Sequence, residues 1–182
     1  MVENRTIGRG IGYSGPVAVS IADPMAWVRE RWEQRALGDP TIFVAVGSLM
    51  RLHQMMLAGV ERVLKEFGLN RNTYMLLTTL VLSERGASRL SQLARSLMVH
   101  PTTVTLLADR LEEQGLIERS PHPTDRRATF ATITPAGRAL TAKATKALSA
   151  ADFGLPGLTV ENAAELAAVT TDIRVASGDK MG

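Results

Sequence analysis

One stretch, Arg89 to Thr134, limits what this chain can fold into more than any other: RLSQLARSLMVHPTTVTLLADRLEEQGLIERSPHPTDRRATFATIT. Leu90, Leu93, Ala94 and Leu97 recur at helical spacing and predict a short helix over Leu90–Leu97. Met98-Val99-His100 reads as a turn. Pro101 is suited to the first position of a second helix, which Gly115 ends. Leu116 to Arg119 reads as a strand, Ser120 to Arg127 as a turn rich in Pro, Thr and Asp, and Ala128 to Ile133 as the returning strand. Helix, tight turn, helix, strand, basic turn, strand is the pattern of a winged helix-turn-helix, which presents one helix and one hairpin tip to DNA.

The second helix, Pro101 to Gln114, divides cleanly on a helical wheel. Val104, Leu107, Ala108 and Leu111 face the core. Thr102, Leu106, Asp109 and Glu113 face away, flanked by Thr105 and Arg110, with Thr103 at the edge. Its first half is short-chained and hydroxyl-bearing, which suits a helix N-terminus entering a major groove. There the amides and the dipole attract phosphate, and Thr hydroxyls can bond base edges or phosphates. Its charge does not suit that role: Arg110 stands against Asp109, Glu112 and Glu113, a net −2. By itself the element reads equally well as an ordinary amphipathic helix.

The following turn supplies the missing charge. From Arg119 to Arg127 there are three Arg and one Asp, with His122 in reserve. Arg126 and Arg127 at a hairpin tip can reach phosphates or a narrow minor groove, although basic turns are often only solvated surface. Asp125 can order the turn through its own backbone. Asp109 on the outward face repels phosphate unless a cation neutralises it, so a wing Arg is expected to pair with it.

The flanking segments are helical. Asp23-Pro24 caps a short helix, MAWVRERWEQRAL, that runs to Gly38 with Trp27 and Trp32 as packing anchors. Asp39-Pro40 opens a long helix, Thr41 to Phe67, about 40 Å from end to end. Its apolar positions occupy more than one face, which predicts a dimer interface; a single central core helix is the alternative. Gly68 ends it, and Asn70 caps a helix from Arg71 to Ser83 that buries Tyr74, Leu77, Leu80 and Val81. Either Ser88 or Arg89 caps the next. After the wing, Thr134-Pro135 starts a helix to about Ala151, Gly154, Pro156 and Gly157 break it, and Thr159 caps a last helix carrying Val160, Leu166, Val169 and Ile173.

The expected architecture is mainly α with a small β-wing. A flexible tail over 1–23 precedes a single domain over 24–182, in which helices at 24–69 and 135–176 flank the winged unit at 70–134. Charges in the tail cancel, so it makes a poor DNA-binding arm, and Met25 offers an alternative translation start. An apolar content of 45% supports a real core. The chain has no Cys, which excludes disulfides, thiol switches and Cys-based zinc sites. A pI near 9.7 permits nucleic-acid binding without requiring it. No apolar run reads as long enough to span a membrane, and no signal peptide is evident, so a cytoplasmic protein is expected.

The segments LSQLARSLMVHPTTVTLLADRLEEQGLIER and PTDRRATFATITPAG resemble the MarR (multiple-antibiotic-resistance regulator) family of transcription factors, over about Asp39 to Ala176. The combination of LxxxGLIxR, DRR and a Thr-Pro-x-Gly helix start carries the resemblance. It implies a homodimer whose first and last helices intertwine, bound as a repressor to a palindromic operator of double-stranded DNA. It further implies that Asp109 pairs with Arg127, leaving Arg126 more exposed; which Arg enters the minor groove stays open. DNA contacts are then expected from Pro101, Thr102, Thr103, Thr105, Leu106, Arg110, His122, Arg126 and Arg127. Many members release DNA on binding a small aromatic or phenolic ligand. Many also carry a basic residue where this chain has Leu106, which makes base readout here less polar. His53, His100 and His122 are scattered, so metal sensing is not expected, and neither is a cofactor. No paired carboxylates, phosphate loop or nucleophile motif points to an enzyme. A winged-helix dimer that serves only protein–protein interaction is the competing reading, motivated by the acidic second helix.

Overall fold

The computed structural model describes residues 23–121 and 129–179. They fall into two compact units, one up to Leu52 and one from His53 onward. Residues 1–22 of the predicted tail and the wing residues His122, Asp125, Arg126 and Arg127 lie outside the described residues.

The first unit holds α1 (Pro24–Gln34) and the start of α2 (Thr41–Lys65). Asp23 accepts the Met25 amide at 3.0 Å and Asp39 accepts the Thr41 amide at 2.9 Å, so both Asp-Pro starts form as the sequence predicts. The first helix stops earlier than predicted, at Gln34, because Ala36 turns into the left-handed region (φ 51°) before Gly38 (φ 91°). Trp32 packs on Phe43 with ring centroids 4.5 Å apart. Trp27, expected as a second anchor, is 57% exposed instead, under the Arg31 guanidinium.

α2 corrects another expectation. By length and composition it could cross a membrane: it has 25 residues and a mean hydropathy of 1.3 over its most apolar window, with only 6% of that window buried. Arg51, His53 and Gln54 interrupt any continuous apolar run, which hid this from a run-by-run reading, whereas an average does not see the interruptions.

The second unit contains the rest of α2, then α3 (Arg71–Leu82), β1 (Ala87–Arg89), α4 (Leu90–Leu97), α5 (Pro101–Glu113), β2 (Ile117–Pro121), β3 (Thr129–Ile133), α6 (Pro135–Ala150), one 3-10 turn and α7 (Val160–Ala176). Asn70 and Thr73 form a reciprocal capping box at the start of α3. Leu64, Leu76, Leu77, Leu80, Leu93, Leu111, Ile117 and Leu148 are fully buried in one core shared by α2, α3, α4, α5, α6 and the sheet. Val81, expected inside, is only half-buried. Tyr74 donates its hydroxyl to Thr145 Oγ1 at 2.9 Å, because the Thr145 proton is already given to the Thr141 carbonyl.

The sheet has three antiparallel strands in the order β1-β3-β2, one more than the sequence predicts. β1 is three residues of Ala-Ser-Arg, without a β-branched or aromatic side chain to announce it. It forms because β3 offers a free edge, pairing Ser88 with Ala131. Arg89 takes the N-cap position of α4, with its amide 3.4 Å from Gln92 Oε1.

The return from β3 into α6 fixes the winged unit to the rest of the domain. Thr134 accepts the Gly137 amide at 3.0 Å and donates to the Gly115 carbonyl at 2.8 Å. A Cβ on Gly137 would lie 2.1 Å from the Leu116 carbonyl oxygen and 2.9 Å from Ile133. Gly→Ala inside a helix ordinarily gains about 1 kcal/mol. Here the backbone clash outweighs it, and Gly137→Ala is expected to cost about 2–3 kcal/mol and lower Tm by roughly 5–10 °C. A thermal melt with Tm unchanged or raised would show that the α6 contact is looser than this.

Candidate nucleic-acid interface

α5 starts on a histidine. His100 adopts the extended N-cap conformation and its Nδ1 accepts the Thr102 amide at 3.3 Å, ahead of Pro101. The Thr102 hydroxyl oxygen lies 3.1 Å from the same nitrogen. Before it, Met98 takes the left-handed conformation (φ 53°) that turns the chain between α4 and α5.

The helix is oriented as the wheel predicts. Val104, Ala108 and Leu111 are buried; Pro101, Thr102, Thr105, Leu106 and Arg110 are exposed; Thr103 is intermediate. The two outward Thr hydroxyls are less available than expected. Besides the Thr102–His100 contact, Thr105 donates to the Pro101 carbonyl at 3.2 Å. The Thr105 proton is spent within the helix start, and the Thr102 hydroxyl is engaged with the His100 ring.

The carboxylates find a cation the sequence argument did not single out. Arg119 reaches Asp109 at 2.5 Å and Glu112 at 2.7 Å. Its Nε also donates to Glu112 at 2.7 Å and its backbone amide to the other Glu112 oxygen at 3.0 Å. Two regularities produce this. Strand alternation puts Arg119 on the same side of β2 as buried Ile117, the side facing α5. Helical spacing sets Asp109 and Glu112 three residues apart on one face. β2 is an edge strand, so Glu112 also satisfies an amide on the sheet's outer edge. The expected partner of Asp109, Arg127, lies outside the described residues. The period of β2, which sets Arg119 on the side of Ile117, is a signal that the sequence does carry.

The pairing is legible in the titration of its members. Glu112 is held below its ordinary value by the hydrogen bond from the Arg119 guanidinium, then by that from the Arg119 amide. Arg119 is held protonated more firmly, chiefly by Glu112. Among the described residues no three His, Asp or Glu side chains come together as a metal site.

A model of the MarR family matches residues 69–129. A solved MarR family transcriptional regulator from Streptomyces coelicolor, Sco5413, is 40% identical and superposes with a TM-score of 0.70, over 78% of this chain and 98% of that one. The chain belongs to the MarR family. The transcriptional repressor IacR of Pseudomonas putida is 32% identical over 89 residues, 49% of this chain and 52% of its own. The chain spans about half the length of the curated relatives it matches. CouR from Rhodococcus jostii, solved bound to p-coumaroyl-CoA, is 25% identical with a TM-score of 0.61, over 74% of this chain and 92% of that one. The winged helix-turn-helix flanked by helices is thus the family fold.

Because the folded pKa of Glu112 lies below the unfolded one, its contribution to stability is full above its ordinary value of 4.5 and is lost as pH falls through the lower folded value. The stability difference between wild type and Glu112→Gln, from urea unfolding at each pH, should therefore be flat at neutral pH and shrink below about pH 4.5. A difference that persists unchanged into strong acid would contradict the ion pair.

Proposed function

We propose that this member of the MarR family is a DNA-binding transcriptional regulator, acting as a homodimeric repressor on a palindromic operator. The observation that carries the reading is α5: a helix with an exposed N-terminal half, two of whose carboxylates share one arginine from a strand of its own wing. That arrangement lowers the net charge of −2 to −1, which weakens the objection that favoured a role in protein–protein interaction alone. Thr102, Thr103, Thr105, Leu106 and Arg110 enter the major groove from α5. His122, Arg126 and Arg127 approach the backbone or minor groove from the wing, with Arg127 as a further partner for Asp109. The naming of relatives as transcriptional regulators and repressors supports the same reading.

The dimer rests on uncovered apolar surface. Ile42, Val46, Leu49 and Met50 on α2, and Val160, Val169, Ile173 and Val175 on α7, are each more than half exposed. A second copy would cover such faces and set the two winged units about one DNA turn apart. Arg51 and His53 in the middle of α2 argue for a protein partner over a bilayer. The reading places the protein in the cytoplasm with its DNA. A small aromatic ligand is the proposed effector; that CouR was solved bound to p-coumaroyl-CoA, a thioester with an aromatic end, supports ligand binding of this kind.

Selection of duplexes from a random pool, followed by anisotropy titration, tests this. The expected result is one enriched palindromic sequence bound by two chains at nanomolar affinity, with log K falling steeply against log salt. Arg127→Ala should weaken binding at all sequences and reduce the salt slope by about one. Binding that is absent, or insensitive to salt, overturns the proposal.

A further inference from the structure

The outward face of α5 has a definite chemistry. Leu106 sits near its middle, 64% exposed. Single exposed leucines are ordinary on protein surfaces. Leu106 is set apart by its neighbours. The Thr102 hydroxyl, one turn before it, is engaged with the His100 ring, and Thr105 gives its proton to the Pro101 carbonyl. Around Leu106 the face therefore offers an isobutyl group beside two threonines whose hydroxyls are already engaged. The acidic groups further along are held by Arg119.

Each base edge in the major groove asks for something different. Guanine presents two acceptors and wants a cation or paired donors; adenine wants an amide; cytosine wants an acceptor; thymine alone presents a methyl group. Near Leu106 there is no amide side chain on α5, and Asp109 is engaged with Arg119 rather than free to accept from cytosine. Arg110 is the exposed cation of the helix, four residues on from Leu106 and turned toward its flank, where a phosphate contact is within reach.

We infer that α5 reads thymine: Leu106, with the Thr102 and Thr105 methyls, packs on a thymine 5-methyl group, and this contact sets the base preferred at the centre of each half-site. The inference rests on the proposed DNA-binding function and names what that helix selects. It fixes Leu106 as a specificity-determining residue and makes the readout apolar rather than a hydrogen-bonded one.

The test removes single methyl groups from the DNA. In the duplex enriched by the wild-type chain, each thymine is replaced in turn by deoxyuridine, which keeps base pairing and deletes only the 5-methyl. Wild type should lose about fourfold in affinity at one or two thymines in each half-site, as expected for one uncovered methyl. Leu106→Ala, which places a better helix former on an exposed position and so keeps the fold, should lose most of the difference between the thymine and deoxyuridine duplexes. The inference is overturned if no deoxyuridine weakens binding, or if Leu106→Ala retains the full sensitivity of the wild type. Failure of the wild type to enrich any sequence has a separate meaning: it removes the DNA-binding reading, and the inference with it.

Discussion

The ion pairs from Arg119 to Asp109 and Glu112 are the constraint on which the interface depends. A helix with three carboxylates and one arginine is a poor ligand for a polyanion, and like charges three residues apart repel along the helix face. One guanidinium placed between Asp109 and Glu112 changes both facts. It offsets one of their two negative charges on the surface offered to DNA, and it ties β2 to α5. Exposed ion pairs are worth little to stability singly. A fork that also takes up an edge-strand amide gains geometry as well as charge, and geometry is what an interface made of two separate elements requires.

Around this clamp the remaining elements have divided roles. Thr134 and Gly137 lock the foot of the wing to α6 through the Gly115 carbonyl and a close approach to Leu116. The leucine core holds α3, α4 and α5 in place behind the outward face. α2 and α7 contribute little to that core over much of their length and present apolar surface instead, the surface a second chain is proposed to cover. Two half-sites held by one dimer bind far more tightly than either alone, which is how a short, weakly charged helix can serve in recognition.

Much of the fold could be read in the sequence because its signals are local. Asp23-Pro24, Asp39-Pro40, Asn70, Pro101, Thr134-Pro135 and Thr159 all start helices where caps predict them, and Gly68, Gly86 and Gly115 all lie at positive φ. What could not be read depends on contacts distant in sequence. β1 exists only because β3 is beside it. Asp109 pairs with Arg119, at the base of the wing, through the side of β2 that faces α5, a contact between strand and helix that no local signal carries; Arg127, the partner that the resemblance implies, lies outside the described residues. Nothing in composition shows that the Thr102 hydroxyl is engaged with the His100 ring or that the Pro101 carbonyl takes the Thr105 proton.

The most direct test of the central claim separates charge neutralisation from mere support of the fold. DNA affinity is measured for wild type, for Arg119→Met, and for Arg119→Met combined with Asp109→Asn and Glu112→Gln, with the helical content of each checked by circular dichroism. If Arg119 acts by neutralising the two carboxylates, the single variant loses roughly tenfold or more, and the triple variant, having no charge left to neutralise, recovers most of that loss. A single variant that binds like wild type, or a folded triple variant no better than the single one, would contradict the account.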